Sequence, residues 1–134
     1  LAGYSGTPLQ KKLGFRPEQR GVFVQAPSGF VDSLGEFPPG FRLLVQARSP
    51  LDLVVLFCER ESDLHRRLPR LAAAIAPTGG LWVAWPKKSS GRPTDLSFDL
   101  VQGAGLATGL VDNKICAIDE IWSGLRFVVR RENR

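Results

Sequence analysis

Apolar residues fall in short blocks separated by Gly- and Pro-rich breaks, and the spacing inside each block predicts an element. Gly21-Val22-Phe23-Val24-Gln25-Ala26, closed by Pro27, reads as a strand buried on both faces. Phe41-Arg42-Leu43-Leu44-Val45-Gln46 follows the Pro38-Pro39-Gly40 turn as a second strand. Leu51-Asp52-Leu53-Val54-Val55-Leu56-Phe57, the most hydrophobic run, is a third and is placed centrally. Between Ser62 and Ala76, Leu64, Leu68, Leu71 and Ile75 recur at helical spacing, leaving Arg66, Arg67 and Arg70 on the other face. Pro69 should kink that helix, having no N–H to donate.

Pro77-Thr78-Gly79-Gly80 then stops the helix and starts a fourth strand, Leu81-Trp82-Val83-Ala84-Trp85. After a polar loop at 86–93, Thr94 is read as the cap of a helix with Asp95 and Asp99 near its positive end. Leu96, Leu100, Ala104 and Ala107 form its apolar stripe, and Gly103 and Gly105 weaken its second half. The runs 113–118 and 125–131 are the last strands, joined through 119–124 as an antiparallel pair. Two short helices complete the pattern: one at about 7–13, with Thr7 as cap, Pro8 first and Gly14 past the end, and one at 29–34.

Strands alternating with helices call for an α/β fold: a three-layer, mostly parallel open sheet with helices on both faces and a C-terminal antiparallel hairpin. With 134 residues and no linker, repeat or low-complexity stretch, one domain over 1–134 is expected. No apolar run nears the ~20 residues that cross a bilayer, so no membrane partner is expected. Cys58 and Cys116 sit in apolar segments without CxxC spacing, and no charged segment leads an apolar run at the start, which together point to the cytoplasm. Oligomeric state and cofactor are left open by these patterns. A net charge of +5 favours contact with anions, but the basic residues are scattered except for Arg66, Arg67 and Arg70, then Lys87, Lys88 and Arg92.

The third strand, its helix and Ala76-Pro77-Thr78-Gly79-Gly80-Leu81-Trp82-Val83 resemble the back half of class I S-adenosylmethionine-dependent methyltransferases, a Rossmann-like fold. The terminal hairpin is similar to the antiparallel last strand of that fold. The strings Ala2-Gly3-Tyr4-Ser5-Gly6-Thr7-Pro8-Leu9, Trp82-Val83-Ala84-Trp85-Pro86-Lys87-Lys88 and Trp122-Ser123-Gly124-Leu125 also look like a bacterial family of small domains, a resemblance that implies no reaction. In methyltransferases a Gly-rich turn after strand one lets the backbone approach the cofactor, and an acid after strand two binds the ribose hydroxyls. Here Gln25-Ala26-Pro27-Ser28-Gly29 keeps one glycine, and Gln46-Ala47-Arg48 carries no acid. The resemblance therefore implies a degenerate methyltransferase-like sheet.

Ligands of open α/β sheets lie beyond the carboxyl ends of the strands, and this places Ser28, Gly29, Glu59, Trp85, Lys87, Lys88, Ser89, Ser90, Asp119, Glu120 and Trp122 on one rim. The loop Lys87-Lys88-Ser89-Ser90-Gly91 offers ammonium and hydroxyl groups suited to phosphate or carboxylate, although GxxxxGK[ST] is absent. His65, the single histidine, falls on the exposed side of its helix, and neither zinc spacing nor a GxSxG elbow is present. Trp82 and Trp85 alternate onto opposite faces, Trp82 as core and Trp85 toward the rim. The reading that follows is a non-catalytic or cryptic domain that binds a small ligand or an anion, with enzymatic activity left open. The alternatives are a methyltransferase binding its cofactor through Ser28-Gly29 and the 87–92 loop, and a nucleic-acid or protein adaptor using the arginines and lysines.

Overall fold

A computed structural model describes residues 8–134. The elements run α1 (Leu9–Leu13), β1 (Arg20–Val24), α2 (Phe30–Leu34), β2 (Arg42–Leu43), β3 (Leu51–Phe57), α3 (Glu61–Ala74), β4 (Ile75–Pro86), α4 (Phe98–Ala107), β5 (Val111–Ala117) and β6 (Trp122–Val128). The sheet has six strands in the order β2-β1-β3-β4-β6-β5. The first four lie parallel and β6 runs antiparallel to both β4 and β5. The expected α/β architecture with its antiparallel C-terminal hairpin is therefore present.

Strand alternation sorts the core into two layers. Val54, Leu56, Leu81, Val83 and Phe127 pack under α3 and α4. Val55, Phe57, Trp82 and Ala84 face Leu13, Phe30 and Leu34 of α1 and α2. The Trp82 indole N–H donates to the Leu13 carbonyl at 2.9 Å, which fastens α1 to the sheet and meets the one polar need of a fully buried ring. Trp82 and Trp85 lie on opposite faces as alternation requires, but Trp85 is only 6% exposed and belongs to the core under α3 and α4.

Several element bounds differ from the sequence pattern. The second strand shrinks from 41–46 to Arg42–Leu43: at its start Phe41 turns into an aromatic cluster, stacked on Phe15 at 5.0 Å, and at its end Val45 and Gln46 turn out to solvent. β1 is not covered on both faces: Val22 is buried, whereas Phe23 and Val24 are only partly so. The turn expected at Pro77-Thr78-Gly79-Gly80 lies instead within β4, which has already begun at Ile75, paired with Leu51. The glycine at 79 answers close backbone approach: a Cβ there would stand 2.7 Å from the Leu51 carbonyl oxygen.

α3 is continuous across Pro69 and buries Leu64, Leu68, Leu71 and Ala74. α4 starts later than Thr94 suggested: Ser97 is its cap, accepting the Leu100 N–H at 3.3 Å. Its buried side is Val101, Ala104 and Gly105, while Leu100 is exposed and Leu96 precedes the helix. The hairpin turn is also shorter than 119–124, since β6 already begins at Trp122. In the first helix Pro8 is the cap rather than the first helical residue, its carbonyl accepting from the Lys12 N–H, and Gly14 closes it at φ 88°. Thr7, read as that cap, lies outside the described residues.

Candidate functional site

The carboxyl end of β1 sits beside that of β3, where the chain turns to opposite sides of the sheet, and this is the crevice in which open α/β folds bind ligands. Gln25 follows β1 with φ 59°, a left-handed conformation sparse for a residue with a Cβ. Its carboxamide nitrogen donates across the crevice to the Phe57 carbonyl at 2.8 Å and to the Asp63 carboxylate of α3. The other Asp63 oxygen accepts from Arg66 at 2.6 Å and Arg67 at 3.0 Å. Burial opposes ionisation of Asp63, but hydrogen bonds from Arg66, Gln25 and Arg67 outweigh it and hold the carboxyl pKa at about 2.

The Cys58 thiol lies 3.7 Å from the same Asp63 oxygen that takes Gln25. Burial, then the Asp63 charge, pushes it up to about 12, so it is no nucleophile near neutrality. Cys116 is half-buried and its thiol is likewise raised by burial. His65 is exposed and pairs with Glu61 at 3.1 Å on its own helix, as its wheel position implied.

Farther along the rim the 86–95 loop knots onto its neighbours. The Lys87 ammonium donates to the Asp119 carbonyl at 2.7 Å, and its backbone N–H donates to the Ile121 carbonyl. The Asp119 carboxylate closes its own turn by accepting the Ile121 and Trp122 amides, each at 2.8 Å. Arg92 pairs with Glu59 at 3.2 Å and holds its guanidinium 5.4 Å from the centre of the Trp122 ring. Thr94, expected to cap α4, donates its hydroxyl to the Glu59 carbonyl at 2.6 Å and accepts the Leu96 N–H. Asp95 accepts the Glu61 N–H at 2.7 Å and so caps α3, whose own cap residue Arg60 offers no side-chain bond.

Of the residues read onto the rim, Glu59, Lys87, Ser90, Asp119 and Trp122 come together here. Trp122 is buried against Phe57 at 5.1 Å, with only its contact to Arg92 at the rim. Lys88, Ser89 and Glu120 are exposed beside the cluster. Ser28 and Gly29 lie apart at the head of α2, where Gly29 is the cap in left-handed conformation, and Trp85 is withdrawn into the core. Sequence reasoning did not single out Gln25 or Asp63 as a pair, being 38 residues apart on two elements. Their positions just past an inner strand and in the first turn of the next helix were the available signal.

No family profile matches this chain, nor does any curated protein. Solved structures do resemble it. A possible exported protein from Bordetella parapertussis matches over 90% of this chain and 64% of its own, with TM-score 0.62 and 12% identity. Magnesium protoporphyrin IX methyltransferase (ChlM) from Synechocystis PCC 6803, solved with SAH bound, matches over 86% and 75%, with TM-score 0.58 and 12% identity. The mitomycin 7-O-methyltransferase MmcR matches over 84% of this chain and 49% of its own, with TM-score 0.63 and 12% identity. This chain thus spans under two thirds of the first and about half of the third.

The residues at the β1 turn do not suit an S-adenosylmethionine held in the manner that the resemblance implies. The Gln25 carboxamide occupies the crevice between β1 and β3. Pro27 offers no amide N–H, and its carbonyl accepts the Phe30 N–H at 3.1 Å within its own turn. No acid follows β2, where Gln46 is exposed. No helix among the described residues is long and apolar enough to cross a membrane. What this chain shares with these structures, at 12% identity, is the Rossmann-like fold of the methyltransferases.

Proposed function

We propose that this chain binds a small anionic ligand on a methyltransferase-like scaffold and transfers no methyl group. The observation that carries the reading is the Gln25 side chain lying across the carboxyl ends of β1 and β3, tied to Phe57 and Asp63 where this fold would admit a cofactor. The anion contacts belong to the 87–92 loop: Lys88 and Ser89 face solvent next to Arg92, while Lys87 is held inward by Asp119. Ser28, Glu59, Asp119 and Glu120 border the reading rather than carry it. The likeness of the Ala2–Leu9, Trp82–Lys88 and Trp122–Leu125 strings to a bacterial family of small domains is part of it, as is one cytoplasmic domain over the whole chain. Two free cysteines support the reducing compartment.

Thermal unfolding with S-adenosylmethionine, S-adenosylhomocysteine, phosphate and nucleotides tests the reading. A ligand at about 100 times its Kd adds about 2.7 kcal/mol to a protein with one site. The methyl-donor pair is expected to leave the midpoint unmoved, while inorganic phosphate raises it in the wild type but not in a Lys88→Ala, Ser89→Ala double variant. A midpoint raised by S-adenosylmethionine alone would return the chain to methyl transfer.

A further inference from the structure

A hollow of about 760 Å³ opens against the α3 side of β1, floored by Val22, Val24 and Leu71 and walled by Arg66, Arg67 and Arg70. Its origin is topological. β2 and β3 both lie parallel to β1 on opposite sides of it, yet the chain passes from one to the other through residues 44–50, with no helix. Parallel strands are ordinarily joined by a dozen or more residues, usually a helix that would lie over the intervening strand. Among the described residues only α3 flanks β1 on that face, and Val45, Gln46 and Ala47 supply the opposite wall.

The α3 wall is strongly cationic. Asp63, Arg66, Arg67 and Arg70 follow one another at spacings of three, one and three, so they form one stripe beside the buried Leu64, Leu68 and Leu71. Arg66 and Arg67 share a single Asp63 oxygen. Arg70 has no ionic partner among the described residues. Three guanidinium groups thus answer to one carboxylate, and each paired arginine engages it through one nitrogen, leaving its other donors free. Surplus positive charge beside an apolar floor repels itself until a counter-charge arrives. Planar donor forks match the oxygens of a phosphate better than any other common anion except carboxylate.

We infer that this hollow is a binding site for a phosphate ester of mononucleotide size, its phosphate on Arg66, Arg67 and Arg70 and its less polar part over Val22 and Val24. The volume lies within the ~300–1,000 Å³ usual for small-ligand pockets. A floor residue as withdrawn as Val22, 3% exposed, favours a compact ligand over a strand of nucleic acid lying across the surface. The site is separate from the 87–92 loop and does not depend on it.

The probe is ADP, with pyrophosphate, adenosine and a short mixed-sequence single-stranded DNA alongside, followed by calorimetry and by amide chemical shifts of the labelled protein. Saturable ADP binding is expected, with shifts at residues 45–47 and 66–71. Arg70→Glu should weaken it about tenfold or more, since a charge-assisted contact becomes a repulsion. The Lys88→Ala, Ser89→Ala pair should leave it unchanged. Arg70 is exposed, so its replacement spares the core, and Arg70→Gln gives the same comparison without adding a charge. Loss of ADP binding in the Lys88 and Ser89 pair with none in the Arg70 variants would overturn the hollow and support the rim. DNA binding without ADP binding would overturn it in favour of an adaptor. Absence of any saturable ADP binding overturns it too, whatever the rim does with phosphate.

Discussion

The Asp95 carboxylate accepts the Glu61 backbone N–H at 2.7 Å, so the loop that follows β4 caps the helix that precedes it. The cap is supplied from 34 residues away because Arg60, at the cap position, has no side-chain acceptor to offer. Asp95→Ala should cost about 1 kcal/mol, and Asp95→Asn much less, both read from the urea midpoint. Equal loss in both variants would mean that the charge and not the cap matters.

Gly79 is fixed by contact rather than by turn geometry. Its missing Cβ leaves room for the Leu51 and Asp52 carbonyls, which are backbone and cannot swing away. Gly79→Ala should lower stability by about 1–3 kcal/mol, measured by thermal or urea unfolding. An unaffected midpoint would show that β4 meets β3 more loosely at this end.

Asp63 makes stability depend on acid. Its folded value of about 2 lies below the ordinary 3.8, so the unfolded chain takes up the proton first. Its contribution is complete above 3.8 and fades as the pH falls through about 2. In urea titrations across that window, Asp63→Asn should flatten the acid-side decline, and at pH 7 it should be less stable than the wild type because two arginines and Gln25 lose their acceptor charge. An unchanged acid slope would assign the decline to other carboxylates.

The two thiols should separate by reactivity. Cys58 is buried, with its thiol pushed up to about 12, whereas Cys116 is only half-buried on an edge strand. Iodoacetamide at pH 8 should alkylate Cys116 well before Cys58 in the folded protein, as read by peptide mass. Both should react alike in urea.

Legibility follows local physics. Leu51–Phe57 is readable to the residue because every position but Asp52 is apolar and buried, which leaves no alternative to a central strand. The alternate facing of Trp82 and Trp85 follows from pleat alone, but Trp85 is buried in a cluster that α3, Leu96 and α4 complete, beyond reach of a strand's own pattern. Thr94 and Ser97 both carry a capping hydroxyl, and it is Ser97 that meets the first-turn amide of α4, while Thr94 bonds the Glu59 carbonyl and the Leu96 N–H ahead of the helix. The rim is legible where strand ends alone place it, as with Glu59 and Lys87. Gln25 escapes because a long polar side chain after a strand reads as solvated until its partners at Phe57 and Asp63 are known.

α3 passes into β4 with no intervening residue: Ala74 ends the helix and Ile75 already pairs with Leu51. A helix so joined cannot slide or roll without dragging the strand, and β4 is locked by pairing with β3 on one side and β6 on the other. The arginine stripe therefore stands on a stationary mount. The opposite wall, residues 44–50, runs from a two-residue strand to the start of β3 and is tied to β1 by Arg20, which donates to the Arg48 and Pro50 carbonyls.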